Sequence, residues 1–180
     1  MALERTLIII KPDGVEKGYE GSIVERIIAA GLTVEKRKRS TLSKEFCNSF
    51  YITGPQQFEN TGRKTIDMIG EDAAAKLFNT VEAVKIGESI LDRFAGYMAS
   101  NETVVMVVSG EDAIGVMKRL VGRTDPQAAG KGTIRGDFSS DSIAAATMER
   151  RPLMNIIHAS DAANAENEIK LAMTEFGNNW

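Results

Sequence analysis

The chain has 180 residues, 43% hydrophobic and 26% charged, which suits one domain with a substantial core and is too short for two ordinary ones. A net charge of −3 argues against a whole-protein electrostatic grip on nucleic acid, and a single cysteine, Cys47, excludes an internal disulfide and a Cys/His zinc site. The start Met1-Ala2-Leu3-Glu4-Arg5 lacks a signal-peptide pattern and the apolar runs are too short to span a bilayer, so a soluble, cytoplasmic protein is expected.

Thr6-Leu7-Ile8-Ile9-Ile10 reads as a central strand buried on both faces. Lys11 closes it and Pro12-Asp13-Gly14 reads as a tight turn. A lysine there is placed to meet a ligand, although taken alone a solvated strand end is the plainer reading. Residues 21–31 carry a helical stripe of Ile23, Val24, Ile27 and Ile28, ended by Gly31. The next strand, 32–42, holds Lys36-Arg37-Lys38-Arg39. This run has the look of a localisation or nucleic-acid patch, but an acidic chain favours a solvated strand face.

A short helix is expected at 44–51. Gly54-Pro55 and Thr61-Gly62 mark loops, with helical pieces at 66–68 and 73–78 split by Gly70. A longer helix over 86–98 puts Ile90, Leu91, Phe94 and Met98 on one side. Residues 103–108 form a second central strand. Ser109 and Asp112 read as a capping box for a helix with Ala113, Ile114, Met117, Leu120 and Val121 buried, stopped by Gly122. Residues 123–138 make a long Gly/Pro/Thr-rich loop, of a kind that is usually functional. After 139–154 come the strand residues Ile156-Ile157, then His158, with Ser160-Asp161 as the cap of a last helix carrying Ala165, Ile169, Ala172 and Phe176. The order gives a β-α-β-β-α-β core, an α/β (α+β) ferredoxin-like sandwich with an antiparallel four-stranded sheet and helices on one face.

His158 is the only histidine, so any step needing imidazole as nucleophile or proton carrier runs through it; a buried histidine bonded to backbone is the competing reading. In Gly132-Thr133-Ile134-Arg135-Gly136-Asp137-Phe138, glycines let backbone approach a ligand and Arg135 offers forked donors suited to phosphate. Lys11, Lys118, Arg119 and Arg123 are further cations near predicted strand or helix ends. Gly130-Lys131-Gly132 is not a Walker A loop, the Rossmann glycine spacing is missed, and the protein-kinase signatures are absent.

Glu4-Arg5-Thr6 leading to Lys11-Pro12-Asp13-Gly14-Val15, then Gly122-x-Thr124-x-Pro126, then 132–138, then Asn155-Ile156-Ile157-His158-Ala159-Ser160-Asp161 together resemble the nucleoside diphosphate kinase family, in the family's order and over most of the core. The resemblance implies ping-pong transfer of a terminal phosphoryl group from a nucleoside triphosphate, chiefly ATP, to a nucleoside diphosphate through phosphohistidine at His158. It implies that Lys11, Thr124, Arg135 and Asn155 bind phosphate and ribose, that Tyr51 supports the γ-phosphate, and that Glu168 orients the histidine. Lys118 stands where the family has a phosphate-binding arginine, with Arg119 beside it. Ile90 falls at the base-stacking phenylalanine, with Phe94 one turn on. Mg²⁺ is expected mainly on the nucleotide phosphates, with Asp161 able to touch it through water. The family stacks bases near the surface, which implies weak base discrimination. It also implies a homo-oligomer of dimers, hexamer or tetramer, with no membrane or nucleic-acid partner. Departures are Ala159 for glycine, a His158-to-helix loop one residue short, and insertions at about 54–88 and 141–152, the second with Arg150 and Arg151. A catalytically weakened nucleotide-binding or regulatory module is the alternative.

Overall fold

A computed structural model describes residues 3–52, 54–177 and 180; Met1 and Ala2 of the N-terminal stretch lie outside them. Strand β1, Leu3–Ile10, is the centre of the molecule: Thr6, Leu7, Ile8, Ile9 and Ile10 are each 0% exposed. It pairs antiparallel with β3, Glu102–Glu111, on one side and with β4, Ile157–Ala159, on the other. Strand β2, Thr33–Thr41, pairs antiparallel with the outer edge of β3, so the order is β2-β3-β1-β4.

Successive side chains of a strand point to opposite faces, and here both faces are covered. Ile8, Ile10, Val104, Met106 and Val108 pack on helices α2 (Glu20–Ala29) and α7 (Ala113–Val121). Leu7, Ile9, Val105 and Val107 pack on α3 (Lys44–Tyr51), α6 (Ala83–Ser100) and α10 (Ala165–Phe176). The expectation of helices on one face only is corrected by this second layer. Its cause lies in the unbroken apolar runs of β1 and β3: each buried aliphatic side chain is worth about 1.5–3 kcal/mol, and neither face can be left in water.

Local corrections follow the same logic. Pro12-Asp13-Gly14 is the start of a short helix, α1 (Pro12–Glu16), with proline in its first turn. Thr61-Gly62 is no loop but the middle of α4, Pro55–Ile69, which Gly70 (φ 83°) separates from α5, Glu71–Phe78. Ser109 is inside β3 opposite Arg5, and Asp112, in the left-handed region at φ 49°, precedes α7 without a side-chain cap. The 123–138 loop holds a 3₁₀ turn at Pro126–Ala128 and α8, Ile134–Phe138, capped by Thr133. The second insertion folds as α9, Ile143–Met148, capped by Ser142. The cap of α10 is Asn164; Asp161 closes the turn before it, its Oδ1 accepting from the N–H groups of Ala163 and Asn164. In the basic run, Arg37 and Arg39 lie against Glu20, and Arg39 also against Glu102, all within the chain. No helix among the described residues is long and apolar enough to cross a membrane.

Candidate active site

The site is built around a strained turn at 155–157. Ile156 has φ +70°, a region that β-branched residues avoid at a cost of about 1–3 kcal/mol, and the Ile157 N–H closes onto the Asn155 carbonyl at 2.8 Å, a γ-turn. Four buried contacts hold it. The Ile156 N–H donates to Asp13 Oδ2 at 3.0 Å, and the Lys11 N–H donates to the Ile156 carbonyl at 2.8 Å. Arg135 donates from Nε to the Asn155 carbonyl (3.3 Å) and from Nη2 to the Ile157 carbonyl (2.7 Å), while its Nη1 reaches the Gly122 carbonyl (3.1 Å). Gly14 must be glycine for this approach: a Cβ there would lie 2.8 Å from Ile10 Cγ2 and 3.0 Å from the Ile156 carbonyl oxygen.

His158 follows, opposite Ile9 in the sheet and with 25% of its side chain exposed. Its Nε2 lies 2.8 Å from Glu168 Oε2, on the first turns of α10. The same oxygen accepts the Ser160 hydroxyl, whose oxygen is also 3.2 Å from the Leu7 N–H. In a neutral ring, the tautomer with its proton on Nε2 is the one that donates to this carboxylate. Among the described residues Nδ1 has no hydrogen-bond partner. The rings of Phe50 and Tyr51 stand edge-on to the imidazole at 5.0 and 6.5 Å.

In front of His158 lies a cleft of about 650 Å³. It brings together Lys11, Tyr51, Phe94, Lys118, Thr124, Arg135, Asn155 and Asp161 with His158, and Arg119 and Arg123 besides. Lys11, only 6% exposed, donates from Nζ to Asn155 Oδ1 and sits 4.6 Å from the centre of the Phe94 ring. Burial, and then the nearby Arg135 charge, bring its pKa down to about 7 against the pull of Asp13. Asn155 spends its Nδ2 on the Thr124 carbonyl at 2.8 Å. Burial brings Arg135 to about 10; its three carbonyl bonds leave it two of five N–H groups, so it works on the turn as well as facing the cleft. The Tyr51 hydroxyl is buried with no partner among the described residues, and burial first, then Cys47 and Glu168, holds its pKa well above the ordinary value. Lys118 and Arg119 are exposed, and Arg119 pairs with Asp112 at 3.0 Å.

Ile90 lies apart from this cleft. It lines an adjoining chamber of about 550 Å³, which shares Lys11, Phe94, Thr124 and Asn155 with the cleft. Arg151 serves the fold instead. Its guanidinium grips both oxygens of Asp141 at 2.6 and 2.8 Å and holds that carboxyl down to about 2. Arg150 lies 5.8 Å from the Phe78 ring centre. Among the described residues no group of three or more His, Cys, Asp or Glu could hold a metal ion, and Asp161 Oδ1 is occupied by its own turn.

Sequence reasoning did not single out Asp13 as a ligand of the turn, Ser160 as a second partner of Glu168, or Tyr97. Tyr97 donates its hydroxyl to Asp13 Oδ1 at 3.0 Å and accepts the Asp13 N–H at 2.9 Å. Asp13 and Ser160 lay within the motifs; nothing in the sequence points from Tyr97 to a residue 84 positions away.

A ferredoxin-like sheet carries a carboxylate-backed histidine at a cation-rich cleft, an arrangement suited to binding phosphate. The family model for nucleoside diphosphate kinase matches residues 4–58 and 55–177. The nucleoside diphosphate kinase of Pyrobaculum aerophilum is 38% identical over 179 residues, 97% of each chain, and that of Campylobacter hominis 35% identical over 168 residues, 93% of each. The crystal structure of the Pyrobaculum aerophilum NDP kinase superposes with a TM-score of 0.89 at 36% identity, covering 94% of this chain and 95% of that one. The Borrelia burgdorferi enzyme, solved as a transition-state mimic with bound vanadate and ADP, superposes with a TM-score of 0.73 at 28% identity, covering 94% and 86%. The chain belongs to the nucleoside diphosphate kinase family and is an enzyme of that kind, moving phosphoryl groups between nucleotides.

Proposed function

We propose that the chain works by a ping-pong mechanism through phosphohistidine at His158, with ATP as the chief donor. The observation that carries this reading is the 2.8 Å contact of His158 Nε2 with Glu168, which leaves Nδ1 as the free nucleophile beside the cleft. In the first half, Nδ1 attacks the terminal phosphorus in line. A P–N bond forms, the P–O bond to the leaving nucleoside diphosphate breaks, and Glu168 steadies the charge that develops on the ring through Nε2–H. In the second half, a terminal oxygen of another nucleoside diphosphate attacks the same phosphorus and restores the imidazole.

Lys11, Arg135, Lys118 and Arg119 neutralise phosphate oxygens, and the unpartnered Tyr51 hydroxyl suits a donor to the γ-phosphate. Thr124 and Asn155 serve ribose and phosphate, with Phe94 and Ile90 toward the base. Mg²⁺ arrives as part of the nucleotide, held by its phosphates. The same reading makes the chain one catalytic domain with insertions at about 54–88 and 141–152, a homo-oligomer of dimers, and a cytoplasmic protein. A nucleotide-binding module with weakened transfer is the second reading, favoured by Lys118 in place of arginine and by the carbonyls that occupy Arg135.

Incubation with γ-labelled ATP and Mg²⁺ separates the two. The kinase takes up an acid-labile, base-stable label that His158→Ala abolishes. No label on the wild type, or equal label on the variant, rejects the mechanism.

A further inference from the structure

Glu175 is an acid at the unfavourable end of its own helix. It lies in the last turn of α10, where the carbonyl end of the helix dipole disfavours negative charge. Its partner is another helix. Glu175 Oε1 accepts the Ser43 N–H and Oε2 accepts the Ser43 hydroxyl, both at 2.7 Å. Ser43 is the N-cap of α3, its Oγ accepting the Phe46 N–H at 3.0 Å. The positive end of α3 thus takes the charge that α10 disfavours. Glu168, which holds His158, stands about two helical turns earlier on the same face of α10. One helix therefore carries both the carboxylate that sets the ring and the carboxylate that seats α3. At its far end α3 places Phe50 and Tyr51 edge-on to His158. Phe46, Cys47 and Phe50 share one apolar layer with Ile169, Ala172 and Phe176 of α10.

We propose that Glu175 is a positioning residue for phosphoryl transfer: its two bonds to Ser43 seat α3 so that the Tyr51 hydroxyl meets the γ-phosphate. This rests on the phosphohistidine reading above. The Tyr51 hydroxyl is buried without a partner among the described residues, so no bond of its own holds it at that depth. Its place is set by the backbone of α3 and by the rings of Phe50 and Phe94, at 4.7 and 4.8 Å. A loosened α3 misplaces a donor that acts on the transferring group, which costs rate and spares ground-state affinity.

The test compares wild type, Glu175→Ala, Tyr51→Phe and the double variant, each as the full chain. Rapid-quench labelling with γ-labelled ATP gives the rate, and equilibrium binding gives the ADP affinity. Glu175→Ala is expected to slow phosphoenzyme formation roughly ten-fold. ADP affinity should stay within about two-fold, because ADP has no γ-phosphate for Tyr51 to meet. On the Tyr51→Phe background the same change should cost less than about two-fold, since the hydroxyl it positions is gone. A purely structural role would slow both backgrounds alike. Glu175→Asp keeps the charge and draws it back by one methylene; it should show the same pattern to a smaller degree, and serves if the alanine variant does not fold. Labelling unchanged in both variants at 175, equal factors in both backgrounds, or ADP affinity that falls with the rate overturns the proposal. A wild type that takes no label rejects the kinase mechanism as well; a labelled wild type with equal factors rejects only the role of Glu175.

Discussion

Glu168 holds His158 with the same oxygen that Ser160 uses: Oε2 lies 2.8 Å from His158 Nε2 and also accepts the Ser160 hydroxyl. The serine fixes the carboxylate, the carboxylate fixes the ring, and the pairing of β4 with β1 fixes His158 in the sheet. Replacing Glu168 by Gln keeps the shape and, in the phosphohistidine mechanism proposed above, removes the charge that steadies the ring as phosphorus transfers. Phosphoenzyme formation in rapid-quench experiments should slow on the order of 10²-fold. Ser160→Ala leaves the carboxylate but frees it to turn, and should cost roughly ten-fold or less. If Glu168→Gln is as fast as wild type, the carboxylate has no part in orienting the nucleophile.

Lys11 sets a pH dependence. Its pKa in the fold, about 7, is below the ordinary 10.5, mainly because burial disfavours the ammonium. Between those two values the unfolded chain holds more protons than the folded one, so stability rises with pH across that window. Below about pH 7 the buried charge is present in full and the penalty is complete. Lys11→Met should flatten this rise in urea melts taken from pH 6 to 10. Nucleotide phosphates favour the charged form, so ADP binding at pH 8 should take up protons, visible in calorimetry as a heat that varies with buffer ionisation enthalpy. A buffer-independent heat contradicts the assignment.

Tyr97 reaches the 155–157 turn through Asp13. In Tyr97→Phe the Asp13 N–H loses its acceptor and Asp13 Oδ1 a donor, both in a part-buried setting. The loss of stability should be about 1–3 kcal/mol. A looser Asp13 releases the Ile156 N–H and the left-handed turn, so kcat should fall while the nucleotide KM stays within about two-fold. Equal losses in kcat and affinity would show that Tyr97 touches the nucleotide instead.

Much of this was legible in the chain. The unbroken apolar runs of β1 and β3 and the punctuating Gly31 and Gly122 specify strands and helix ends by local chemistry alone. The motif residues Lys11, Thr124, Arg135, Asn155 and His158 do converge on one cleft. What stayed hidden depends on distance. The short α1 at Pro12 is selected by its contacts with the turn at 155–157, and the Tyr97–Asp13 bond spans 84 positions that no local pattern encodes. Arg135's second task on the turn was hidden because sequence shows its donors and not the three carbonyls that engage three of its five N–H groups.

Gly62 shows the same limit. In a sequence, Thr61-Gly62 is loop punctuation, because glycine costs a helix about 1 kcal/mol relative to alanine. In the fold it is a helical residue whose missing side chain lets α4 lie directly on α6: an added Cβ would stand 1.8 Å from the Ala83 carbonyl oxygen, and one on Gly87 1.9 Å from that of Phe58. Helix propensity alone predicts that Gly62→Ala stabilises. The contact predicts the reverse, because the obstacle is backbone and cannot rotate away. The two helices must separate, at about 1–3 kcal/mol of overpacking strain. The urea midpoint of Gly62→Ala should fall, and that of Gly87→Ala with it. Gly96→Ala, at a position of α6 with no neighbour within 4 Å of an added Cβ, should hold or gain stability. A stabilised Gly62→Ala would mean that α4 does not pack on α6 through this glycine.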